Sequence, residues 1–139
     1  MTTRPAVIED SAAIARIYNQ GIEDRVATLE TELRTPVERL EWLASRGPRH
    51  PVLVACVEGV QVVWGSLNPF NPRHVYGCVA DFSVYVERSH RGQGVGRRLL
   101  EALVVRARAL GYHKMVLAAL PWNKAGIALY TRAGFVPVG

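Results

Sequence analysis

The sequence predicts a single α/β domain over residues 1–139, in which a mostly antiparallel central sheet contains one parallel βαβ crossover and is flanked by helices. Two β-branched runs, "PVLVACV" and "VQVVWGSL", are joined by Glu58-Gly59, as a tight antiparallel hairpin requires. Later, "YGCVADFSVYVE", a glycine-rich turn, a helical pattern and "HKMVLAAL" follow in the order of a right-handed crossover between parallel strands.

The chain begins with a short predicted strand in "TTRPAVI" and a helix that Asp10 or Ser11 can cap. The apolar face of this helix carries Ile14, Ile17 and Tyr18. A polar loop is expected from Gly21 to about Arg34, before the next helix begins.

The start of the second helix is specified by its own side chains. Thr35 can cap it, Pro36 suits the first helical position, and Glu38 completes a capping box. The residues expected on its core face are Val37, Leu40 and Leu43.

The strand before the glycine turn alternates strictly. One face carries Ala80, Phe82, Val84 and Val86, and the other carries Val79, Asp81, Ser83 and Tyr85. The helix behind the turn ends at Gly111, and "HKMVLAAL" is predicted as a buried strand. Asn123 can cap a last short helix that Gly134 ends, and "FVPVG" is expected to begin one more strand.

Composition excludes several classes of protein. No apolar run reaches the roughly 20 residues of a membrane helix, and the N-terminus lacks a signal-peptide pattern, so a cytoplasmic location away from membranes is expected. Cys56 and Cys78 lie in apolar runs, which favours buried reduced thiols over a disulfide. The four histidines show no ligand spacing, so no metal site is expected.

Positive charge is concentrated around the glycine turn. The net charge is +5, and several arginines flank the turn, namely Arg88, Arg91, Arg97 and Arg98. No zinc-finger spacing or RNA-type aromatic motif accompanies them. This distribution favours one local anionic ligand, and no nucleic-acid partner is expected.

The turn itself, "RSHRGQGVGRRLL", leaves backbone N–H groups at a helix start able to hold an anion. A nucleotide-triphosphate loop is excluded because Arg97 and Arg98 follow Gly96 where Lys and Ser or Thr are needed. A dinucleotide fold is disfavoured because its fingerprint belongs near the first strand, whereas this turn follows a meander of antiparallel strands.

Two motifs resemble the GCN5-related N-acetyltransferase (GNAT) superfamily. "RGQGVG" matches its acyl-CoA signature through Arg91, Gly94 and Gly96. About 30 residues later, "NKAGIALYTRAGF" resembles its second motif, with matching residues Asn123, Leu129, Tyr130, Gly134 and Phe135. Nearly the whole chain is similar to the subgroup named for phosphinothricin N-acetyltransferase, most strongly from Asp81 to Phe135.

The resemblance implies the GNAT acyl-CoA N-acyltransferase fold and acetyl-CoA as cosubstrate. The pyrophosphate of CoA would lie on the turn amides, the pantetheine arm would pair with the strand backbone at Val84 and Val86, and Asn123 would support the arm from the other side. The implied cofactor-binding residues are Val84, Val86, Arg91, Gly92, Gln93, Gly94, Val95, Gly96, Arg97 and Asn123.

The implied catalytic residues are Asp81 and Tyr130. Asp81 would remove the proton of the acceptor amine directly or through water, and Tyr130 would donate a proton to the leaving thiolate. Asp81 stands where the subgroup usually has glutamate, one methylene longer. The alternatives are a surface carboxylate for Asp81 and a core aromatic for Tyr130.

Two segments resemble the acceptor loops of the subgroup, "VATLETE" and "SLNPFNPRHVY". The substrate-binding residues expected in or beside them are Glu23, Thr28, Phe70, Arg73 and Tyr76. Arg73 can clamp a carboxylate, phosphinate or sulfone oxygen, or it is a solvent-facing loop arginine. Asn71 stands where relatives often carry another arginine.

The implied activity is acetyl transfer from acetyl-CoA to the amino group of a small amino-acid-like acceptor of the phosphinothricin or methionine sulfoximine type. The alternatives are another amine (a polyamine, an antibiotic or a protein N-terminus) and a non-catalytic acyl-CoA-binding module. The chain stops at Gly139, whereas relatives continue for some 30 residues and supply another strand. An open strand edge would then favour a homodimer, with strand exchange as one form of it.

Overall fold

The computed structural model describes residues 1–24, 32–70, 78–117 and 123–136, with Ala125 described by its backbone alone. It contains five strands and four α-helices within those residues. In chain order they are β1 (Thr2–Pro5), α1 (Ser11–Glu23), α2 (Pro36–Ala44), β2 (Val52–Val57), β3 (Val60–Pro69), β4 (Val79–Val86), α3 (Val95–Ala109), β5 (Lys114–Val116) and α4 (Lys124–Arg132).

The strands form one sheet in the order β1-β2-β3-β4-β5. Neighbouring strands are antiparallel except β4 and β5, which are parallel. The mixed sheet and the crossover through α3 were both predicted, and both are confirmed. The parallel pairing is short, running from Val79 opposite Lys114 to Asp81 opposite Val116.

The hairpin between β2 and β3 turns at Glu58 and Gly59, whose φ angles are 50° and 78°. Positive φ at both central residues is typical of the turn whose twist matches paired strands. The predicted hairpin is therefore confirmed.

Helices cover both faces of the sheet. α3 packs on one face through Leu99, Leu100 and Leu103, against a strand layer that includes Leu67, Ala80, Phe82 and Val84. α1 packs on the other through Ile14, Ile17, Tyr18 and Ile22, against Val52, Val54 and Trp64. The alternation predicted for β4 thus places Asp81, Ser83 and Tyr85 on the α1 face.

α1 continues through Gly21 to Glu23, where a loop was expected. Gly21 is a poor helix former, but Ile22 keeps the apolar period and is buried in the cluster with Trp64. Burial of one aliphatic side chain outweighs the propensity cost of one glycine.

The capping box of α2 is confirmed, since the Thr35 hydroxyl accepts the Glu38 N–H at 3.1 Å and the Glu38 carboxylate accepts the Thr35 N–H at 3.3 Å. The predicted core face is wrong at Val37 and Leu40, whose side chains are exposed. Arg39 is buried instead, because its guanidinium stacks on aromatic rings of the α1 cluster.

Asn123 caps α4 as predicted, with its side-chain oxygen accepting the Gly126 N–H at 3.0 Å. Residues 135 and 136 are not in a strand, and the rest of "FVPVG" lies outside the described residues. β5 is half-buried at Met115 and Val116, with Lys114 exposed, so it is less enclosed than predicted.

Both cysteines are free thiols, as expected, but neither is fully buried, since Cys56 on β2 is half-buried and Cys78, which precedes β4, is exposed. None of the helices in the described ranges is long and apolar enough to cross a membrane. Among those same residues, no group of three His, Cys, Asp or Glu side chains is placed to hold a metal ion.

Gly65 lets α3 approach β3 closely. A Cβ at residue 65 would lie 2.8 Å from methyl carbons of both Leu99 and Leu103 and 2.9 Å from the Ser83 carbonyl oxygen. We therefore expect Gly65→Ala to lower the free energy of unfolding by about 1–3 kcal/mol, as overpacked core positions do.

The measurement is urea unfolding followed by circular dichroism. Gly47→Ala is the matched control, because a Cβ there meets no atom within 4 Å. Equal stability of the two variants would contradict the close approach.

Candidate active site

The edge of β4 opens beyond Asp81. From Phe82 to Val86 the strand pairs with β3 on one side, while on the other no described strand continues the pairing that β5 makes up to Asp81. A cavity of about 510 Å³ lies along this edge. It is lined by α1 (Ile17, Gly21), β4 (Val84, Tyr85, Val86), the glycine turn with the start of α3 (His90, Arg91, Gly92, Gly94, Gly96, Arg97) and α4 with its cap (Asn123, Lys124, Gly126, Ala128, Leu129, Tyr130, Arg132).

The glycine turn is shaped to hold an anion. Gly92 and Gly94 have φ angles of 77° and 83°, a region that glycine adopts without strain. α3 begins directly after Gly94, and no side chain caps its first turn. The N–H groups that begin an α-helix have no partners within the helix, so they are available to a bound anion.

Gly96 brings three elements together at this point. A Cβ on Gly96 would lie 3.1 Å from a Val86 methyl and 3.3 Å from a Leu129 methyl. The glycine therefore allows the start of α3 to approach both β4 and α4, and it keeps the turn at one end of the cavity.

Acidic side chains at the end of α1 anchor the turn. Asp24 accepts hydrogen bonds from Arg88 Nε at 2.9 Å and Arg91 Nη1 at 2.8 Å, and these arginines, Arg88 foremost, hold the pKa of Asp24 below its usual range. Glu23 lies beside them, 3.4 Å from Arg88. It lines neither this cavity nor a second one on the α1 and α2 face. The turn is thus tied to α1 by charge.

A second anchor is Glu87, which sequence reasoning missed. Hydrogen bonds from Ser89 and His90 lower the pKa of Glu87 to about 2. Gln20 of α1 donates to the Glu87 carboxylate at 3.2 Å and accepts the Arg88 N–H at 2.8 Å. No local pattern signals the contacts with Gln20, since they join residues nearly 70 positions apart.

The remaining predicted cofactor residues occupy different environments. Arg97 lines the cavity and pairs with Glu101 at 3.2 Å. The Gln93 amide donates to the Ser89 carbonyl at 3.2 Å and is exposed. Val95 is buried in the core beneath the helix start. Of these three, only Arg97 faces the cavity.

Tyr130 reaches the cavity from α4. Its ring packs edge-on against Phe82, with ring centroids 5.7 Å apart. Burial, and secondarily the charge of Asp81, raises the pKa of Tyr130 to about 12. The phenol therefore keeps its proton at neutral pH.

Asp81 is half-buried on β4, on the face turned to α1. Burial raises the pKa of Asp81, and hydrogen bonds from the Asn68 side chain and the Phe82 backbone oppose that rise. The Asn68 amide nitrogen lies 3.3 Å from the carboxylate. A carboxylate with a raised pKa is a stronger base than one in water.

A second cavity, of about 340 Å³, lies on the α1 and α2 face. Its lining consists of aromatic, cationic and small polar side chains, namely Tyr18, Arg34, Glu38, Arg39, Trp42, Trp64, Ser66, Asn68, Ser83 and Tyr85. Tyr85 lines both cavities, and burial raises its pKa to about 12. Asp81 is linked to one cavity through Asn68 and to the other through its charge on Tyr130.

Sequence reasoning did not find this second cavity. Arg39, Trp42 and Trp64 read locally as surface or core residues, and the contacts among them arise only when α2 packs on α1 and the sheet. The predicted acceptor residues Thr28, Arg73 and Tyr76 lie outside the described residues. Phe70 is partly exposed just beyond the end of β3.

Comparison with known proteins agrees with this architecture. The model of the "Acetyltransferase (GNAT) family" matches residues 14–135. An L-methionine sulfoximine/L-methionine sulfone acetyltransferase of Pseudomonas paraeruginosa is 36% identical over 95% of this chain and 78% of the relative.

Two solved structures share the fold. The ribosomal-protein-alanine N-acetyltransferase of Brucella melitensis superposes with a TM-score of 0.94 at 35% identity, over 100% of this chain and 86% of that one. A phosphinothricin acetyltransferase of Sinorhizobium meliloti in complex with AcCoA superposes with a TM-score of 0.91 at 31% identity, over 99% of this chain and 76% of that one.

The family match spans the opened strand edge, the glycine turn and α4, which are the parts that build the larger cavity. The resemblance drawn from the two motifs is confirmed, and the chain belongs to the GNAT acetyltransferase family.

Proposed function

We propose that this chain transfers the acetyl group of acetyl-CoA to the amino group of a small amino-acid-like acceptor, of the methionine sulfoximine, methionine sulfone or phosphinothricin type. One observation carries the proposal: Asp81 accepts a hydrogen bond from Asn68 of the cavity lined by aromatic rings and arginines, and its charge acts on Tyr130 of the cavity that contains the glycine turn. Relatives whose names include these acceptors or AcCoA support it.

The larger cavity fits acetyl-CoA. Its turn end offers first-turn N–H groups of α3 and the cations Arg91 and Arg97 for a pyrophosphate. The open edge of β4 at Val84 and Val86 offers backbone groups to the amides of the pantetheine arm. Gly96, which also lines the cavity, has no room for a Cβ between Val86 and Leu129. Asn123 lies across the cavity from β4, as the arm requires.

Asp81 serves as the base that removes a proton from the acceptor amine. A lysine-like amine with pKa about 10.4 is neutral in roughly one molecule per thousand at pH 7.4, and a peptide α-amino group with pKa about 7.8 is neutral in about a quarter. The α-amino group of a free amino acid lies between the two, because its own carboxylate stabilises the ammonium. An α-amino acceptor therefore needs only a moderate base. The raised pKa of Asp81 suits it to that task.

Tyr130 assists the departure of sulfur. Acetyl-CoA supplies the activated acetyl group, and transfer leaves a thiolate of pKa about 8.5. The Tyr130 phenol, with its pKa raised to about 12, is protonated and donates a hydrogen bond to the developing sulfur charge. A backbone N–H of β4 near Val84 would polarise the thioester carbonyl.

The second cavity is assigned to the acceptor. Its lining carries two cations, Arg34 and Arg39, against one carboxylate, Glu38, which pairs with Arg34 at 3.6 Å. The remaining positive charge suits the carboxylate of an amino acid. Trp42, Trp64 and Tyr85 offer flat apolar surface to an acceptor side chain. The predicted acceptor loops around Thr28 and Arg73 would complete this site, and their role stays a prediction.

A protein N-terminus is the second candidate acceptor. The Brucella melitensis neighbour carries the name of a ribosomal-protein-alanine N-acetyltransferase. A peptide α-amino group has a lower pKa than a free amino acid, whose own carboxylate stabilises the ammonium, but it lacks that nearby carboxylate. The arginines of the second cavity therefore favour the free amino-acid analogue.

We also infer a cytoplasmic homodimer. β5 is the last strand of the sheet in the described part of the chain, so its outer edge is open to pairing with a second copy. The free thiols Cys56 and Cys78 suit a reducing compartment. Sedimentation equilibrium tests the dimer.

The activity is tested by thiol release from acetyl-CoA with a panel of acceptors. Methionine sulfoximine, methionine sulfone and phosphinothricin are expected to react, and polyamines and an N-terminal peptide to react at least about tenfold more slowly in kcat/KM. A higher kcat/KM for the peptide would indicate that the acceptor is a protein N-terminus rather than a free amino-acid analogue. Binding of acetyl-CoA without turnover on any amine would indicate a binding module.

Gly94→Ala should raise the Kd of acetyl-CoA by about tenfold or more, because a left-handed alanine shifts amides that hold the pyrophosphate. The backbone strain itself costs about 1–2 kcal/mol. Isothermal titration calorimetry measures the affinity.

Gly111→Ala is the matched control, since Gly111 has a φ of 86°, equally open space, and a position at the far end of α3. It should lose similar stability and keep its affinity. Equal Kd values for both variants would contradict binding of the pyrophosphate at the glycine turn.

Asp81→Asn should lower kcat/KM by about 10²–10⁴-fold with an unchanged Kd for acetyl-CoA, because an amide accepts no proton. The loss should be largest at low pH, where less of the amine is already neutral. An unchanged pH–rate profile would contradict the role of Asp81 as base.

Tyr130→Phe, which keeps the ring packing, should lower kcat with little change in KM.

A further inference from the structure

We propose that Asn68, oriented by Arg46, is a positioning residue that holds the Asp81 carboxylate in place. The proposal rests on the proposed function, in which Asp81 is the base. It assigns a role to two side chains that neither the sequence motifs nor the family signature single out.

The sheet register brings the two residues together. Asn68 on β3 stands directly opposite Asp81 on β4. The Asn68 amide nitrogen lies 3.3 Å from an Asp81 carboxylate oxygen and 3.4 Å from the Ser83 hydroxyl oxygen. One NH₂ group thus spans two acceptors on the same strand face, which accounts for two contacts at the long end of the hydrogen-bond range.

Arg46 determines which way the Asn68 amide points. Its Nη2 donates to the Asn68 side-chain oxygen at 2.9 Å and also to the Leu67 carbonyl, while its Nε donates to the His50 carbonyl at 2.8 Å. A guanidinium has donors and no acceptor. The amide oxygen must therefore face Arg46, and the NH₂ group must face Asp81.

Arg46 is itself held firmly. It is partly buried, and its guanidinium stacks on the Trp42 ring at 4.4 Å from the ring centroid. Burial lowers the pKa of Arg46 to about 10, which still leaves it charged at neutral pH. A fixed cation behind the amide polarises Asn68 so that its NH₂ group is a better donor to a carboxylate.

The effect on Asp81 has a defined sign. Burial raises the pKa of Asp81, and the Asn68 hydrogen bond lowers it. The charge of Asp81 acts on Tyr130 of α4, and the charged or titratable side chains of the second cavity, which Asp81 meets through Asn68, are Tyr18, Arg34, Glu38, Arg39 and Tyr85. Removing the Asn68 donor should therefore raise the pKa of Asp81 and disfavour the base form at neutral pH.

The test is the pH dependence of kcat/KM for the full chain with methionine sulfone, or with the best acceptor of the panel. In Asn68→Ala the acid limb should move up by about one pH unit, as loss of one hydrogen bond to a charged group implies. Asn68→Asp, which is isosteric, places a second carboxylate against Asp81 and should move the limb further. Arg46→Lys keeps the positive charge but lacks the planar guanidinium with its several donors, and it should shift the acid limb by less.

Ser11→Ala is the control for a general loss of a buried hydrogen bond. The Ser11 hydroxyl is buried and donates to the Ile8 carbonyl at 2.6 Å at the start of α1, and Ser11 lines neither cavity. Its variant should lose stability and keep the pH profile of the unaltered chain. A merely structural role for Asn68 would give the same unchanged profile.

A second measurement separates this inference from the function it rests on. The carboxyl ¹³C resonance of Asp81, assigned by its loss in Asp81→Asn, reports the pKa without turnover. If that pKa is the same in the unaltered chain, Asn68→Ala and Asn68→Asp, the positioning role is overturned. If the pKa rises but the acid limb stays in place, Asn68 positions Asp81 as proposed and Asp81 is not the base.

Discussion

The parallel pairing of β4 with β5 ends at Asp81, and the site depends on that early end. Up to Asp81 both edges of β4 are hydrogen-bonded, and beyond it one edge borders the larger cavity. Unpaired backbone groups of a strand are ready to bind an extended ligand with amides of its own. The residue at which the pairing ends therefore carries the carboxylate, and the cavity follows along the same strand from Val84.

Ion pairs and hydrogen bonds hold the glycine turn, and burial shifts the pKa values of Asp81 and Tyr130. Asp24 and Glu87 fix the arginine-rich turn to α1, so the turn amides are held in place before any anion arrives. Burial then works in the same direction on two other groups, since it raises the pKa of both Asp81 and Tyr130. The carboxylate of Asp81 is therefore a stronger base than one in water, and the phenol of Tyr130 keeps its proton at neutral pH.

Much of this could be predicted from sequence because the signals are local. Glu58-Gly59 specifies a turn, Thr35 and Glu38 cap α2, and Asn123 caps α4, each through contacts within about four residues. The glycine turn is also a local signal, because glycine readily adopts the positive φ angles of Gly92 and Gly94. Chain order then placed the turn between two parallel strands.

The sequence by itself determined the hairpin, the crossover and the glycine turn, because propensity, capping and glycine conformation act over a few residues. Only the tertiary structure decided that α1 continues through Gly21, that Arg39 is buried while Leu40 is exposed, and that Asn68 faces Asp81. Those outcomes depend on which distant side chains share a surface, and packing energies there exceed the local preferences that a sequence displays.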